Sequence, residues 1–158
     1  ISRHRLQVNA SRYVAMRGDN APPGELPTVE ATDLDFRSDR ELGDLDTFDG
    51  LIGERGGLDH WLAVDDWRRS ILAHVATLTD PQSGRKMNVY SSQPSLHLYS
   101  ANAMSGSGAQ RDGREYEDHS ALALHCMALP DAVNRAEFPS IVMEAGELYV
   151  HKTVYEFL

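Results

Sequence analysis

Short stretches in which apolar and polar residues alternate recur along the chain, and this period-two pattern is typical of β-strands that bury one face. In the first stretch Leu6, Val8 and Ala10 share a face, with polar residues between them. Strand-like segments are found at 5–13, 70–79, 86–91, 121–129 and 148–157. No segment has a convincing helical period, so we predict an all-β antiparallel fold.

Turn and loop signals separate these segments. Residues 80–85 read Asp-Pro-Gln-Ser-Gly-Arg, which predicts a hairpin between the strands at 70–79 and 86–91. Residues 38–57 are acidic and punctuated by glycine, and residues 104–118 are polar and glycine-rich, so both are predicted to be loops. We interpret residues 1–158 as a single partial domain.

The segment 121–129 has two different faces. Leu122, Leu124 and Cys126 make one apolar face, whereas Ala121, Ala123, His125 and Met127 make the other. His125 is therefore flanked by a small alanine and a flexible methionine, which leaves room above its ring. A titratable side chain in such a place suits acid–base chemistry, although a core histidine held by one hydrogen bond is the alternative.

Several motifs resemble those of the aldose 1-epimerases, also called galactose mutarotases. Residues 121–134 read ALALHCMALPDAVN, and the family pattern there is roughly G-F-x-L-E-T-Q-x-x-P-D-A-x-N. In this alignment the family's catalytic glutamate falls on His125, and its glutamine falls on Met127. The resemblance extends through GLDHWL at 57–62, DPQSGR at 80–85 and SSQPSLHLY at 91–99.

The resemblance implies a galactose mutarotase-like supersandwich, a large antiparallel β-sandwich of which this chain is about the C-terminal half. The family's acid histidine, and the arginine and second histidine that hold the sugar, would precede Ile1. We therefore expect the N-terminal half to be supplied as a separate or cleaved chain. Half a sandwich leaves strand edges and apolar faces uncovered, so we also expect residues 1–158 not to be stable alone.

The resemblance also assigns roles to individual residues. Asp59 corresponds to the aspartate that binds a sugar hydroxyl, and we take Asp59 and His125 as the catalytic candidates. The remaining substrate-binding candidates are Trp61, Gln93, His97 and Met127, where Trp61 offers a flat face for a sugar ring and His97 replaces a glutamine. From the residues alone, Asp59 and His60 could instead form a turn at the start of a strand beside a core tryptophan.

The composition of the chain limits the kinds of partner that it is expected to bind. The chain has 158 residues, is 41% hydrophobic and carries a formal net charge of −9, which argues against a nucleic-acid backbone or an anionic membrane as partner. Cys126 is the single cysteine of the sequence, which excludes an intrachain disulfide. A reducing, cytoplasmic compartment is therefore favoured, and secretion is the alternative. We expect no metal and no cofactor, because neither ligand spacing nor a phosphate-binding loop is present.

Two functions fit the sequence. The first is an aldose 1-epimerase-like isomerase that uses acid–base catalysis on a sugar or sugar-like, or even non-sugar, small molecule. The second is a non-catalytic protein that binds a carbohydrate or another small molecule on the same scaffold, since the family's catalytic glutamate is replaced. An acid histidine in the N-terminal half would favour catalysis.

Overall fold

The computed structural model describes residues 1–18, 21–45, 48 and 56–158. These residues form two antiparallel sheets, so the predicted all-β antiparallel sandwich is confirmed. The strands are β1 (Arg5–Val8), β2 (Arg12–Tyr13), β3 (Arg40–Glu41), β4 (Asp59–Ala63), β5 (Ala73–Thr79), β6 (Lys86–Ser91), β7 (Ser95–Tyr99), β8 (Ala123–Met127) and β9 (Thr153–Phe157). Ala132–Asn134, after β8, form a 3-10 turn.

The strand order places the candidate site in the smaller sheet. One sheet has the order β3-β1-β5-β6-β9, and the other has the order β2-β4-β7-β8. The hairpin predicted at 80–85 joins β5 to β6, with the backbone N–H of Asp80 donating to the carbonyl of Arg85 (2.9 Å). The smaller sheet brings together β4, β7 and β8, which lie far apart in the sequence.

The inner faces of the two sheets form the main hydrophobic core. The larger sheet contributes Leu6, Val8 and Val89, which are fully buried or nearly so. Leu96 and Leu98 of β7, both fully buried, come from the smaller sheet. Each of these residues occupies alternate positions of its strand, as the period-two pattern predicts, because successive side chains point to opposite faces of a sheet.

The strand predicted at 70–79 begins later than expected and is irregular. β5 starts at Ala73, and Ile71 and Leu72 before it are exposed. A β-bulge lies between His74 and Ala76, and it allows the neighbouring Val75 and Ala76 both to be fully buried. A bulge inserts one extra residue into the strand and shifts the alternation of its side chains. A strict period of two therefore assigns the residues on one side of the bulge to the wrong face of the sheet.

The acidic segment 38–57 contains structure that its composition does not indicate. Arg40 and Glu41 form β3 on β1, and Leu42 and Leu45 are buried in the main core. Residues 46–47 and 49–55 of this segment lie outside the described residues. In contrast, the polar loop 104–118 is exposed over most of its length and contains only an isolated bridge between Ala109 and Glu115.

The C-terminal strand is shorter than predicted. β9 covers Thr153–Phe157 and pairs with β6, whereas Leu148 and the residues up to 152 are not in a strand. Several apolar side chains of this region are exposed, with Leu148 at 87% and Phe157 at 77%. No helix in the described ranges is long and apolar enough to cross a membrane.

We predict that Leu96→Ala lowers the free energy of unfolding by about 2–5 kcal/mol, because it removes a fully buried side chain and leaves a cavity between the sheets. Denaturant unfolding of the complete protein, wild type and variant, measures the difference. Val133→Ala is the control: Val133 is 61% exposed, and its truncation should change stability by less than about 0.5 kcal/mol. Equal effects of the two substitutions would contradict the assignment of the core.

Candidate active site

One row of aromatic side chains crosses the outer face of the smaller sheet. Trp61 of β4 is paired with His97 of β7, and His97 is paired in turn with His125 of β8. Directly paired residues of antiparallel strands share a face. Asp59 and Met127 lie two positions away from this row on β4 and β8, so they are on the same face.

Asp59 and His97 form a hydrogen-bonded pair within this face. His97 Nε2 lies 2.7 Å from Asp59 Oδ1, and since a carboxylate only accepts, the imidazole is the donor. The side chains are 12% exposed for His97 and 28% exposed for Asp59. The pair is therefore partly withdrawn from water but open on one side to a ligand.

Trp61 supports His97 from the other side. The two rings stack with their centroids 4.1 Å apart and their planes inclined by 20°. The indole N–H of Trp61 contacts Met127 Sδ at 3.2 Å, and Trp61 also packs against a second apolar cluster that includes Leu129 and Phe138. One face of the tryptophan ring is thus covered by His97 and is not available to a sugar.

His125 is the most accessible member of the row. Its ring centroid lies 5.9 Å from that of His97, with the planes inclined by 37°, and the residue is exposed. Among the described residues its ring has no hydrogen-bond partner. The room above His125 that the sequence predicts is therefore present on the outer face of the sheet.

Gln93 has a hydrogen-bond partner outside this group. It belongs to the turn between β6 and β7, and its side-chain amide donates to the hydroxyl of Tyr149 (3.1 Å). This contact lies in a groove of about 840 Å³ that is also lined by Trp67, Pro139 and Leu148. The structure brings together Asp59, Trp61, His97, His125 and Met127, whereas the side-chain amide of Gln93 bonds to Tyr149.

Tyr99 is a site residue that we did not predict. It is paired with Asp59 and lies two positions after His97, so it shares the outer face and extends the row of polar side chains along β7. The alternation of Ser95, His97 and Tyr99 along β7 is the sequence signal that indicates that Tyr99 shares the face of His97. Its phenol is a hydrogen-bond donor and acceptor at the edge of the site.

His60 points to the opposite face and is buried. The backbone N–H of Asp59 donates to its Nδ1 (3.0 Å), while its Nε2 has no partner among the described residues. Burial lowers the pKa of His60 from 6.5 to about 4, because a charged ring would lose its solvation. His60 is thus a neutral ring behind the site and not part of its accessible surface.

The arrangement offers proton-transfer groups and hydrogen-bonding groups on one open face. Two imidazoles, a carboxylate and a phenol converge there, and each can accept or donate a hydrogen bond. Across the described ranges, no group of three or more His, Cys, Asp or Glu side chains is placed to hold a metal ion. Acid–base chemistry on a small molecule is what this set of side chains supports.

Comparison with known proteins places the chain in a family. The family model for aldose 1-epimerases matches residues 1–156, and the chain belongs to that family. It is 30% identical to galactose mutarotase from Homo sapiens over 158 residues, which covers 99% of this chain and 44% of that protein. It is 29% identical to the aldose 1-epimerase of Escherichia coli over 162 residues, covering 100% of this chain and 46% of that protein.

A solved structure resembles the whole chain. The crystal structure of a GalM/aldose epimerase homologue from C. elegans superposes with a TM-score of 0.82 at 25% sequence identity, covering 100% of this chain and 46% of that one. The chain thus spans about half the length of the relatives it matches, and it corresponds to their C-terminal half.

We predict that burial of His60 makes stability depend on pH. Unfolded His60 binds a proton near pH 6.5 and folded His60 only near pH 4, so the unfolded state binds more protons between these values. Stability is therefore lost as pH falls, by roughly 2 kcal/mol between pH 7 and pH 5 from this residue. Denaturant unfolding of the complete protein at the two pH values measures this loss.

In His60→Leu the loss of stability between pH 7 and pH 5 should shrink by the same amount, because the titrating ring is gone. His151→Leu is the matched control, since His151 is exposed and the variant keeps His60. If wild type and His60→Leu lost stability equally over this range, the buried ring would not be the cause.

Proposed function

We propose that this chain carries part of the active site of an isomerase that interconverts the two anomers of an aldose or a sugar-like molecule. The observation that supports this proposal is the row on the outer face of the smaller sheet, in which His125 stands beside the Asp59–His97 pair. Membership of the aldose 1-epimerase family supports the reaction class. The relatives' names supply the substrate class, an aldose such as galactose.

Interconversion of anomers needs a base and an acid but no cofactor. The base removes the proton of the anomeric hydroxyl while an acid protonates the ring oxygen, and the ring opens. Rotation about the bond between the first two carbons and closure on the other face give the second anomer. His125 is the proposed base, because it is exposed and its ring is without a hydrogen-bond partner in the described part of the chain.

The surroundings of His125 support a substrate with an apolar edge as well as hydroxyls. Met127 follows on the same strand face, and Trp61 stands one strand beyond His97. Both side chains present apolar surface. The indole N–H of Trp61 already contacts the sulfur of Met127, so this donor is not free for a substrate hydroxyl. Sugar rings have apolar C–H faces, and a sugar-like molecule with fewer hydroxyls would suit this wall equally well.

Binding without catalysis is the second candidate function. It is favoured by the imidazole at position 125, where the resemblance places a catalytic glutamate. A binding protein would use His125 only as a hydrogen-bonding group. The two candidates differ in whether the complete protein interconverts anomers at all, and the substitution of His125 then tests whether this residue accepts the proton.

We predict that His125→Gln lowers kcat by roughly 10²–10⁴-fold while KM changes little, because an amide keeps hydrogen bonding but cannot accept a proton. The assay is polarimetry of anomer interconversion with the complete protein and a freshly dissolved aldose such as galactose. His4→Gln is the control and should keep full turnover, because His4 lies just before β1, in the other sheet from the row. Unchanged kcat with a raised KM in His125→Gln would show that His125 binds the substrate and is not the base, whereas a complete wild-type protein without turnover would support the second candidate function.

The exposed apolar surface supports a second proposal, which concerns the remaining half of the sandwich. Leu148, Tyr149, Val150 and Phe157 are all more than half exposed, and β9 is an edge strand of its sheet among the described residues. Contiguous apolar surface and unpaired strand edges are usually covered in a stable protein. We propose that the N-terminal half covers this region, as a separate chain or as a cleaved fragment.

We predict that residues 1–158 form a stable complex with the N-terminal half on co-expression and that Phe157→Glu weakens it, since a charge would enter an apolar contact. Size-exclusion chromatography of the co-expressed halves measures complex formation. Val133→Glu is the control, because Val133 is exposed in the turn after β8, away from β9. A monomeric chain that unfolds alone in one cooperative transition and binds no second half would contradict the proposal.

A further inference from the structure

We propose that a groove between the loop after β2 and the turn after β8 binds a phosphate group, which the guanidinium of Arg135 holds. This groove, the Arg135 groove, has a volume of about 620 Å³. Its lining combines two arginines, one aspartate and three prolines, which are Arg17, Pro22, Pro23, Pro130, Asp131 and Arg135. The inference goes beyond the proposed function, because none of these side chains belongs to the row on the outer face of the smaller sheet.

The Arg135 groove lies beside the face that carries the row. The turn after β8 contributes Leu129 to the second apolar cluster, and Met16, in the loop after β2, packs against the same cluster. Trp61, a member of the row, also packs against it. Both walls of the groove are therefore anchored next to the row, and a ligand in the groove is a neighbour of the candidate active site.

Arg135 is held in one orientation by its neighbours. Its Nε donates to Asp131 Oδ2 (3.0 Å), and its guanidinium lies over the backbone of Gly24, in the space that a side chain at position 24 would fill. Gly24 has a φ of +92°, a conformation that favours glycine, and the absence of a side chain allows this close approach. A donor that is fixed before the ligand binds loses little entropy on binding.

The hydrogen bond to Asp131 leaves the end of the Arg135 guanidinium available. Within the described ranges Asp131 contacts Nε, and Nη1 and Nη2 have no hydrogen-bond partner. Arg37 and Arg114 differ, since each donates from both Nε and Nη2 to a single aspartate. Two N–H groups at the end of a guanidinium match two oxygens of a phosphate group. Arg135 can therefore bind such a group and keep its contact with Asp131.

The charges of the Arg135 groove favour an anion, although the chain as a whole is acidic. Among the described residues of the lining, Arg17 and Arg135 carry two positive charges against the one carboxylate of Asp131. Hydrogen bonds from Asn134 and Arg135 occupy both oxygens of this carboxylate and lower the pKa of Asp131. The three prolines have no N–H, so the guanidiniums are the strong donors of the lining. A phosphate group, with up to two negative charges and three acceptor oxygens, matches these donors.

Calorimetric titration of the complete protein at fixed ionic strength tests the site, with inorganic phosphate and galactose 6-phosphate as the two ligands. Arg135→Gln removes the charge and the paired N–H groups, so the affinity for phosphate should fall by roughly 10–100-fold. Arg17→Gln leaves the Arg135–Asp131 pair intact and should also weaken binding. Arg114→Gln is the matched control and should bind as the wild type does, because Arg114 also pairs with an aspartate but lies in the loop 104–118.

The two ligands distinguish the sources of the phosphate group. Tighter binding of galactose 6-phosphate than of inorganic phosphate would assign the group to a sugar that reaches the groove from the row. Equal or weaker binding of the sugar phosphate would assign the groove to free phosphate.

Two results would overturn the inference: no binding of either ligand by the wild type, or equal affinities in wild type and Arg135→Gln. If Arg135→Gln does not fold, unchanged affinity in Arg17→Gln overturns it instead. Because the titration needs no turnover, a complete protein that binds phosphate through Arg135 but does not interconvert anomers refutes only the proposed function.

Discussion

Burial of the inner face of the β2-β4-β7-β8 sheet is the constraint on which the candidate site depends. Leu62, Leu96, Leu98 and Leu124 point from this sheet into the main core. Because side chains alternate strictly, their burial forces the intervening residues to the outer face. A slip of one residue in β7 would bury His97 and expose two leucines, so the apolar core fixes the register that aligns the polar row.

The same constraint explains the buried histidine. His60 lies between Asp59 and Trp61, and two outward side chains require the one between them to point inward. Its ring is nearly completely buried, and its Nε2 has no partner among the described residues. An unpaired buried polar atom costs about 1–3 kcal/mol. The outward position of Asp59 therefore requires a buried His60, whose unpaired Nε2 lowers the stability of the fold. Because this buried ring stays neutral, stability also falls as the pH is lowered.

The site occupies an open face, and this openness suits a protein whose relatives are about twice as long. His125 is exposed, and one side of the Asp59–His97 pair faces away from the core. A sugar bound there would be covered on one side only. Water exclusion strengthens electrostatic contacts, so a second half over this face would strengthen the contacts that these side chains make with the proposed substrate.

Local sequence determined much of the fold and part of the site. Alternation in 5–13 and 121–129, together with the turn residues at 80–85, correctly indicated an antiparallel all-β protein. It also placed His125 and Met127 on one face of their strand. These properties follow from the geometry of a single strand, in which neighbouring side chains point in opposite directions. The motifs that resemble the aldose 1-epimerases correctly identified the family.

Tertiary structure alone decided how the strands combine. The pairing of His97 with both Trp61 and His125 depends on contacts between distant segments, and no local period specifies it. The contact of Gln93 with Tyr149 is likewise non-local. The bulge beside Val75 depends on the core that both sheets fill. Periodicity is a property of one strand, whereas a site built from three strands requires their register, which only the packed core supplies.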